Sequence, residues 1–398
     1  MSTQPTGVSY WRKMFSTRTN WNLTTTQLAE SLARLRAGKR KVIDLSASNP
    51  TECGFRYDGS SILKAFINPA ALKYSPDPRG LRSARMAVGE YYLALRENVV
   101  ADDIVLTTST SEAYSFVFRL LCNPGDELLI PSPSYPLFDY LADLQDVKLV
   151  RYPLFYDHGW HIDFHALKQA ITPRTRGVIL VNPNNPTGHY TKAGERDTLN
   201  ELCAEQDLAI ISDEVFLDFN LGGAAARSFV SNEGALTFTM SGISKICGLP
   251  QMKLAWMAVS GPEATKREAL GRLEMIADTF LSMNAPVQVA APSLLAQRHG
   301  FQEQLMARVR ANLAELDSQL AEQKECSRLD VEAGWYAVLR VPATRSDEEL
   351  ALELLETSGV YLHPGHFYEF SGDGYLVVSL ITPEREFEEG IEQVLGMY

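Results

Sequence analysis

GVILVNPNNPTG, residues 177–188, is the stretch that decides the fold of this 398-residue chain. Residues 177–182 are almost entirely apolar, which is typical of a strand buried on both faces of a sheet. Two Asn-Pro steps follow at once and make the loop after the strand rigid. Because ligands of open α/β sheets bind where the strands end, this loop indicates a functional position rather than a simple turn.

Other apolar runs of the same kind predict the rest of a sheet. They cover residues 103–108, 127–131, 208–213, 236–241 and 255–260. Helical stretches separate most of them, and strands separated by helices form largely parallel sheets. We therefore expect an α/β fold with a large, doubly wound, mostly parallel sheet domain.

The two ends of the chain predict a second, smaller α+β domain. Residues 291–324 have the charged, helical pattern of a long connecting helix, and short strands and helices follow it. We expect three segments: an N-terminal arm with the first part of the small domain (1–70), the large domain (71–290), and the interdomain helix with the C-terminal small domain (291–398).

Composition and charge exclude several classes of protein. With 37 basic and 49 acidic residues the net charge is −12, which disfavours nucleic acid and anionic membranes as partners. The five cysteines form no C-x-x-C pair, so neither a disulfide framework nor a zinc site is indicated. The first 21 residues lack the apolar core of a signal peptide, and we interpret them as an ordered arm. We expect a cytoplasmic protein without a metal site.

The ends of the predicted strands carry the candidate chemistry. They bring together a Ser-Thr-Ser helix start (Ser109, Thr110, Ser111), an aromatic side chain (Tyr135), an amide (Asn185), an acid (Asp213) and an amine (Lys245). Taken singly, the hydroxyls also fit an ordinary helix cap, and the lysine also fits a solvated surface position. Together they are the parts that hold pyridoxal 5′-phosphate (PLP): a phosphate cradle, a flat ring partner, an acid for the ring nitrogen and an amine for the aldehyde.

From about Asn49 to the C-terminus the chain resembles the class I/II aminotransferases of the PLP-dependent fold type I superfamily. The motifs that carry the resemblance are KYSPDPRGLR (73–82), TSTSEA (108–113), PSPSYP (131–136), NPNNPTG (182–188), DEVF (213–216) and SGISKICGLPQMK (241–253). The resemblance implies transfer of an amino group between an amino acid or amine and a 2-oxo acid. It also implies a homodimer with shared active sites.

The resemblance further implies a role for each matching residue. Lys245, next to Ser244 among the cofactor-binding residues, is the Schiff-base lysine that also moves the substrate proton. Asp213 pairs with the ring nitrogen, Asn185 donates to the ring 3′-oxygen, and Tyr135 stacks on the ring. The phosphate is held by Ser109, Thr110, Ser111 and Lys253, with Tyr74 reaching it from the neighbouring subunit.

Three positions depart from the pattern of the family. Phe216 stands where a tyrosine usually donates to the 3′-oxygen, which should raise the pKa of the Schiff base. Lys253 replaces an arginine at the phosphate and lacks its bidentate fork. Val377, in the phrase LVVSL, stands where an arginine usually binds the substrate carboxylate.

Other residues are therefore candidates for holding the substrate. They are Ser48, Arg18 in the N-terminal arm, and His366 in the loop PGHFYEF. Arg18 also fits a solvated arm, and His366 also fits a packed loop residue. The aromatic residues of this loop favour an apolar or aromatic substrate side chain over an acidic one.

Alternatives to transamination remain at this point. Another fold type I PLP enzyme (a β-lyase, a cyclase or a decarboxylase) would hold the cofactor with the same residues. A PLP-sensing transcription regulator is disfavoured because no basic recognition helix precedes the matched region. A pseudo-enzyme is disfavoured because Lys245, Asp213 and Asn185 are all present.

Overall fold

The structure is a computed structural model, and it describes residues 14–222, 227–281 and 283–398. Most of the predicted N-terminal arm, residues 1–13, therefore lies outside the described residues. The strands are β1 Ile43–Asp44, β2 Ile104–Thr107, β3 Glu127–Ser132, β4 Lys148–Tyr156, β5 Trp160–Ile162, β6 Thr175–Val181, β7 Ala209–Asp213, β8 Thr237–Gly242, β9 Ala255–Ser260, β10 Ser327–Arg328, β11 Tyr336–Arg340, β12 Val360–Tyr361, β13 His363–Pro364 and β14 Tyr375–Ser379. The helices are α1 Gln27–Ala37, α2 Gly59–Lys64, α3 Arg82–Ala94, α4 Thr110–Leu121, α5 Phe138–Asp143, α6 Phe164–Ala170, α7 Ala193–Glu205, α8 Ile243–Ile246, α9 Glu263–Thr279, α10 Ala285–Ala296, α11 Arg298–Ala321, α12 Asp347–Ser358 and α13 Glu384–Leu395.

A large sheet of eight strands forms the centre of the molecule, in the order β2-β9-β8-β7-β6-β3-β4-β5. The five strands from β8 to β4 are parallel to one another, and β9 lies antiparallel between β2 and β8. The predicted mostly parallel α/β sheet is confirmed, and all six predicted strands are present.

Helices cover both faces of this sheet, which explains the unbroken apolar runs. In β7, Ile210 and Ile211 are consecutive, point to opposite faces, and are both fully buried. Ile211 belongs to the apolar cluster that contains residues of α4 and α9, whereas Ile210 belongs to the cluster on the other face. A strand covered on both faces can be apolar at consecutive positions, as at Ile210 and Ile211, so its sequence need not alternate between polar and apolar residues.

Strands β4 and β5 were not predicted from the sequence. The sequence of β4, KLVRYPLFY, mixes charged, polar and apolar side chains, and several of them are exposed. Because β4 and the short β5 lie at the edge of the sheet, their outer faces do not need to be apolar.

A second, four-stranded sheet has the order β10-β11-β14-β13 and is antiparallel throughout. Beside it, β1 pairs in parallel with β12, so Ile43 is opposite Val360. The backbone N–H of Ser379 also donates to the carbonyl of Leu45 at 2.6 Å. Residues from both ends of the chain therefore build this part of the molecule. Within the described residues no helix is long and apolar enough to cross a membrane.

Candidate active site

The carboxyl ends of the central strands meet at one cavity of about 320 Å³. Ten of the predicted site residues line it: Ser48, Ser109, Thr110, Ser111, Tyr135, Asn185, Asp213, Phe216, Ser244 and Lys245. They come from five separate strand ends and from the loop after β1. The structure thus brings together the helix start, the aromatic ring, the amide, the acid and the amine.

The first turn of α4 gives the cavity a set of anion-binding donors. Ser109 is the N-cap residue, and its hydroxyl accepts from the backbone N–H of Glu112 at 3.2 Å. The carboxylate of Glu112 in turn accepts from the N–H of Thr108 at 2.7 Å. This twelve-residue helix therefore has its cap, and its free N-terminal N–H groups and dipole face the cavity at Thr110 and Ser111.

Asp213 is the last residue of β7, and its carboxylate lies deep in the cavity wall. Burial raises the pKa of this carboxyl to about 6, while hydrogen bonds to it oppose the rise. Oδ1 accepts from the N–H of Val215 at 3.2 Å, and Oδ2 accepts from the Tyr114 hydroxyl at 3.1 Å. Asp213 is therefore largely ionised at neutral pH. Tyr114, whose hydroxyl stabilises the Asp213 carboxylate, was not predicted from the sequence.

Lys245 lies in α8, the single helical turn directly after β8. Its Nζ donates to the Ser48 carbonyl at 3.4 Å and lies 4.6 Å from the Trp335 ring centroid and 5.6 Å from that of Phe216. Burial lowers the pKa of the ammonium group to about 8, and the charge of Asp213 opposes this effect. A substantial fraction of Lys245 is therefore neutral, and hence nucleophilic and basic, near pH 8.

The loop after β6 holds Asn185 in the cavity wall. Asn185 is 8% exposed, and its buried Oδ1 has no hydrogen-bond partner. Neighbouring Asn184 fixes the loop, since its Nδ2 donates to the carbonyl of Pro133 at 3.2 Å and to the Thr187 hydroxyl at 2.9 Å. Gly188 ends the loop with φ +71, where a Cβ would overlap the carbonyl oxygen of Ala333. The rigid loop predicted from the two Asn-Pro steps thus presents an amide with unused hydrogen-bonding capacity.

The other four predicted site residues lie outside the cavity. Lys253 is exposed, with a left-handed backbone (φ 54), and Tyr74 is 78% exposed. The Arg18 guanidinium pairs instead with the Asp146 carboxylate, with Nε 2.7 Å from Oδ2. His366 is also exposed and does not line the cavity. Because neither Arg18 nor His366 lines the cavity, a contact of either residue with a substrate stays a prediction.

The sequence reading missed most of the wall that the four-stranded sheet contributes. Tyr336 of β11, His363 of β13, and Phe367 and Tyr368 of the following 3-10 helix all line the cavity. The aromatic string PGHFYEF was the available signal for the last two. Val377 is buried and pairs with His363, so the two side chains share a face of this sheet, but Val377 is not among the residues that line the cavity.

Among the described residues no group of three or more His, Cys, Asp or Glu side chains is arranged to hold a metal ion.

Known proteins similar to this chain are aminotransferases. The family model for aminotransferase class I and II matches residues 40–394. The glutamate-pyruvate aminotransferase AlaA of Escherichia coli K12 is 32% identical over 273 residues, covering 68% of this chain and 67% of the relative. The alanine aminotransferase of Mycobacterium tuberculosis H37Rv is 27% identical over 374 residues, covering 91% and 86%.

A solved structure of similar shape extends the comparison. An aminotransferase from Escherichia coli superposes with a TM-score of 0.81 at 26% identity, covering 92% of this chain and 93% of that one. The chain belongs to the class I and II aminotransferases, a family of PLP-dependent transaminases with fold type I.

Proposed function

We propose that the cavity around Lys245 binds PLP and transfers an amino group from an amino acid or amine to a 2-oxo acid. The observation that carries this proposal is that Lys245, Asp213, Asn185 and the α4 N-terminus all line one cavity. Relatives named for alanine and for glutamate-pyruvate transfer support pyruvate as the first acceptor to test.

The donor set of the cavity fits this cofactor. The α4 N-terminus, with Ser109, Thr110 and Ser111, would hold the phosphate. The Nδ2 of Asn185 would donate to the ring oxygen, and the Asp213 carboxylate would accept from the protonated ring nitrogen. Tyr135 supplies a ring at the cavity wall, and Ser244 precedes the lysine. In this proposal Lys253, and Tyr74 of a second copy, complete the phosphate contacts.

The chemistry divides between the cofactor and two side chains. When bound, PLP supplies an electron sink that allows a proton to leave the substrate carbon next to nitrogen. The Asp213 carboxylate, ionised above its pKa of about 6, would hold a proton on the ring nitrogen. Lys245 would bind the cofactor covalently and, once displaced by the donor, its neutral Nζ would accept and return the substrate proton.

We also propose that the protein works as a homodimer in the cytoplasm. The segment at 63–74 and the end of α9 expose large apolar side chains, which are Leu63, Ile67, Leu72, Met275, Phe280 and Leu281. Exposed apolar residues in this number are typical of an interface with another chain. The division into segments 1–70, 71–290 and 291–398 stays a prediction that limited proteolysis tests.

The cofactor proposal is tested with the Lys245→Ala variant. Incubation of the wild type with PLP should give a visible absorbance band, and borohydride reduction should fix the cofactor's mass on the peptide that contains Lys245. Lys245→Ala should lose both signals and the transfer to pyruvate, whereas Lys148→Ala, at an exposed strand position, should keep all three. Wild-type protein that stays colourless and unmodified would refute the proposal.

The dimer proposal is tested by analytical ultracentrifugation. Leu72→Glu, at a residue that is 92% exposed, should shift the wild-type dimer toward monomer. Leu23→Glu, at a residue that is 84% exposed and lies outside the apolar segments, should leave the dimer intact. A monomeric wild type at micromolar concentration would contradict the proposal.

A further inference from the structure

The wall of the cavity opposite the large sheet is aromatic and uncharged. Tyr336 of β11 and His363 of β13 face the cavity beside Phe367 and Tyr368. The backbone pairing sets Val338, Val377 and His363 in one row across this sheet, next to the row of Tyr336. Side chains in such a row share a face of the sheet, and His363 of this row and Tyr336 of the next are the ones that line the cavity.

His363 remains neutral at physiological pH. Its Nδ1 lies 3.0 Å from the Tyr368 hydroxyl, and burial lowers the pKa of the imidazole to about 4, although Asp44 opposes this shift. The wall therefore offers hydrogen-bonding groups without positive charge. A carboxylate placed against such a wall loses its hydration and meets no compensating cation.

The mouth of the cavity carries exposed apolar side chains. Tyr135, Leu137 and Phe367 are 43%, 38% and 43% exposed, and all three line the cavity. The same three residues also line an adjoining groove of about 550 Å³, which runs past Trp21 and Tyr140. The cavity thus connects across these three residues to the groove, which leaves room for a large substrate side chain.

The charged side chains that line this groove are the carboxylates of Asp139 and Asp143, and each already has a bonding partner. Asp139 pairs with Arg151 at 2.8 Å, and Asp143 accepts from Trp21 Nε1 at 2.8 Å. An acidic side chain that entered the groove would meet these two carboxylates. An apolar one would remove the exposed rings at the rim from water.

From these observations we infer that the amino donor carries an aromatic or large apolar side chain. This side chain packs against Phe367 and Leu137 at the mouth, and the neutral wall at His363 disfavours an acidic one. The inference rests on the proposed function, because it assigns the substrate class of the same cavity. Phe367 is then the specificity-determining residue for the donor.

The test measures the donor half-reaction by stopped-flow absorbance of the bound cofactor, with L-phenylalanine, L-alanine and L-glutamate. In the wild type kcat/KM for phenylalanine should exceed that for glutamate at least tenfold. Phe367→Ala should lower the phenylalanine-to-alanine ratio at least tenfold. Phe155→Ala, at an aromatic residue of similar exposure (47%) outside the cavity, should keep the wild-type ratio.

Binding without turnover gives an independent readout. By calorimetry, 3-phenylpropanoate should bind the wild type at least tenfold more tightly than glutarate, and Phe367→Ala should remove this difference. Preference for glutamate and glutarate, or an equal loss for phenylalanine and alanine in Phe367→Ala, would overturn the inference. If no donor converts the cofactor, the proposed function fails and the inference about the donor fails with it, whereas an enzyme that converts donors but prefers glutarate in calorimetry overturns the inference alone.

Discussion

Replacing Tyr114 with phenylalanine removes one hydrogen bond to Asp213 and leaves the ring in place. The bond is 3.1 Å long, whereas O–H···O bonds in proteins are most often about 2.7–2.8 Å. We therefore take the lower end of the range for bonds to charged groups, about 1.5 kcal/mol. Since one pKa unit corresponds to about 1.4 kcal/mol, the pKa of Asp213 should rise by about one unit.

The sign follows from which form of Asp213 the bond stabilises. The Tyr114 hydroxyl donates to the carboxylate and so lowers the pKa of Asp213, against the rise that burial causes. Without it the pKa should move from about 6 toward about 7. Because the ring nitrogen of the cofactor needs the ionised acid, cofactor affinity should begin to fall at a pH about one unit higher than in the wild type.

The assay is a fluorescence titration of apoprotein with PLP between pH 5 and 9, which reports the dissociation constant at each pH. Tyr152→Phe is the matched control, because Tyr152 is equally buried and its hydroxyl donates to the Ile179 carbonyl, away from Asp213. If the Tyr114→Phe protein folds and its affinity for PLP begins to fall at the same pH as in the wild type, the role assigned to Tyr114 is refuted.

Three further changes test other parts of the site and its support. Phe216→Tyr supplies the hydroxyl that the family usually has, so the spectroscopic pKa of the Lys245-bound cofactor should fall by about one unit; an unchanged midpoint would contradict this. Burial lowers the pKa of His189 to about 3 in the folded protein. As the pH drops below about 6.5, the unfolded chain therefore binds a proton at this residue that the folded protein does not, and the free energy of unfolding decreases. In urea unfolding, His189→Gln should therefore lose about 2 kcal/mol less than the wild type between pH 7 and 5; an equal loss would exclude His189 as a cause. Gly188→Ala forces a Cβ onto the Ala333 carbonyl at positive φ, so it should cost at least about 2 kcal/mol and lower the thermal midpoint; an unshifted midpoint would argue against the rigid loop.

The central sheet was predictable because burial on both faces leaves a signal in the sequence itself. Runs such as residues 177–182 and 208–213 are mostly apolar, with polar residues only near their ends, and strand ends in such sheets converge. The antiparallel direction of β9 was not predictable, since the direction of a strand depends on the path of the chain rather than on its residue types. Strand β4, which lies next to the edge strand β5, lacks this signal because several of its side chains are exposed to solvent.

The cofactor side of the site was predictable for the same reason, and the substrate side was not. Asp213 ends an apolar run, and Asn185 and Lys245 lie three and four residues after the end of one. Tyr114 lies within α4, and His363 lies in a two-residue strand, so only tertiary contacts bring them to the cavity. Local patterns carry no information about such contacts between distant segments.

The parallel pairing of β1 with β12 has a consequence for how the protein is made. Ile43 leaves the ribosome more than three hundred residues before its partner Val360, so this pair cannot form until synthesis is almost complete. Until then Leu45, which is fully buried in the folded protein, lacks its native contacts and is exposed to solvent or bound by a chaperone. The nascent chain can therefore assemble its large sheet early, but the cavity gains its second wall only at the end of translation.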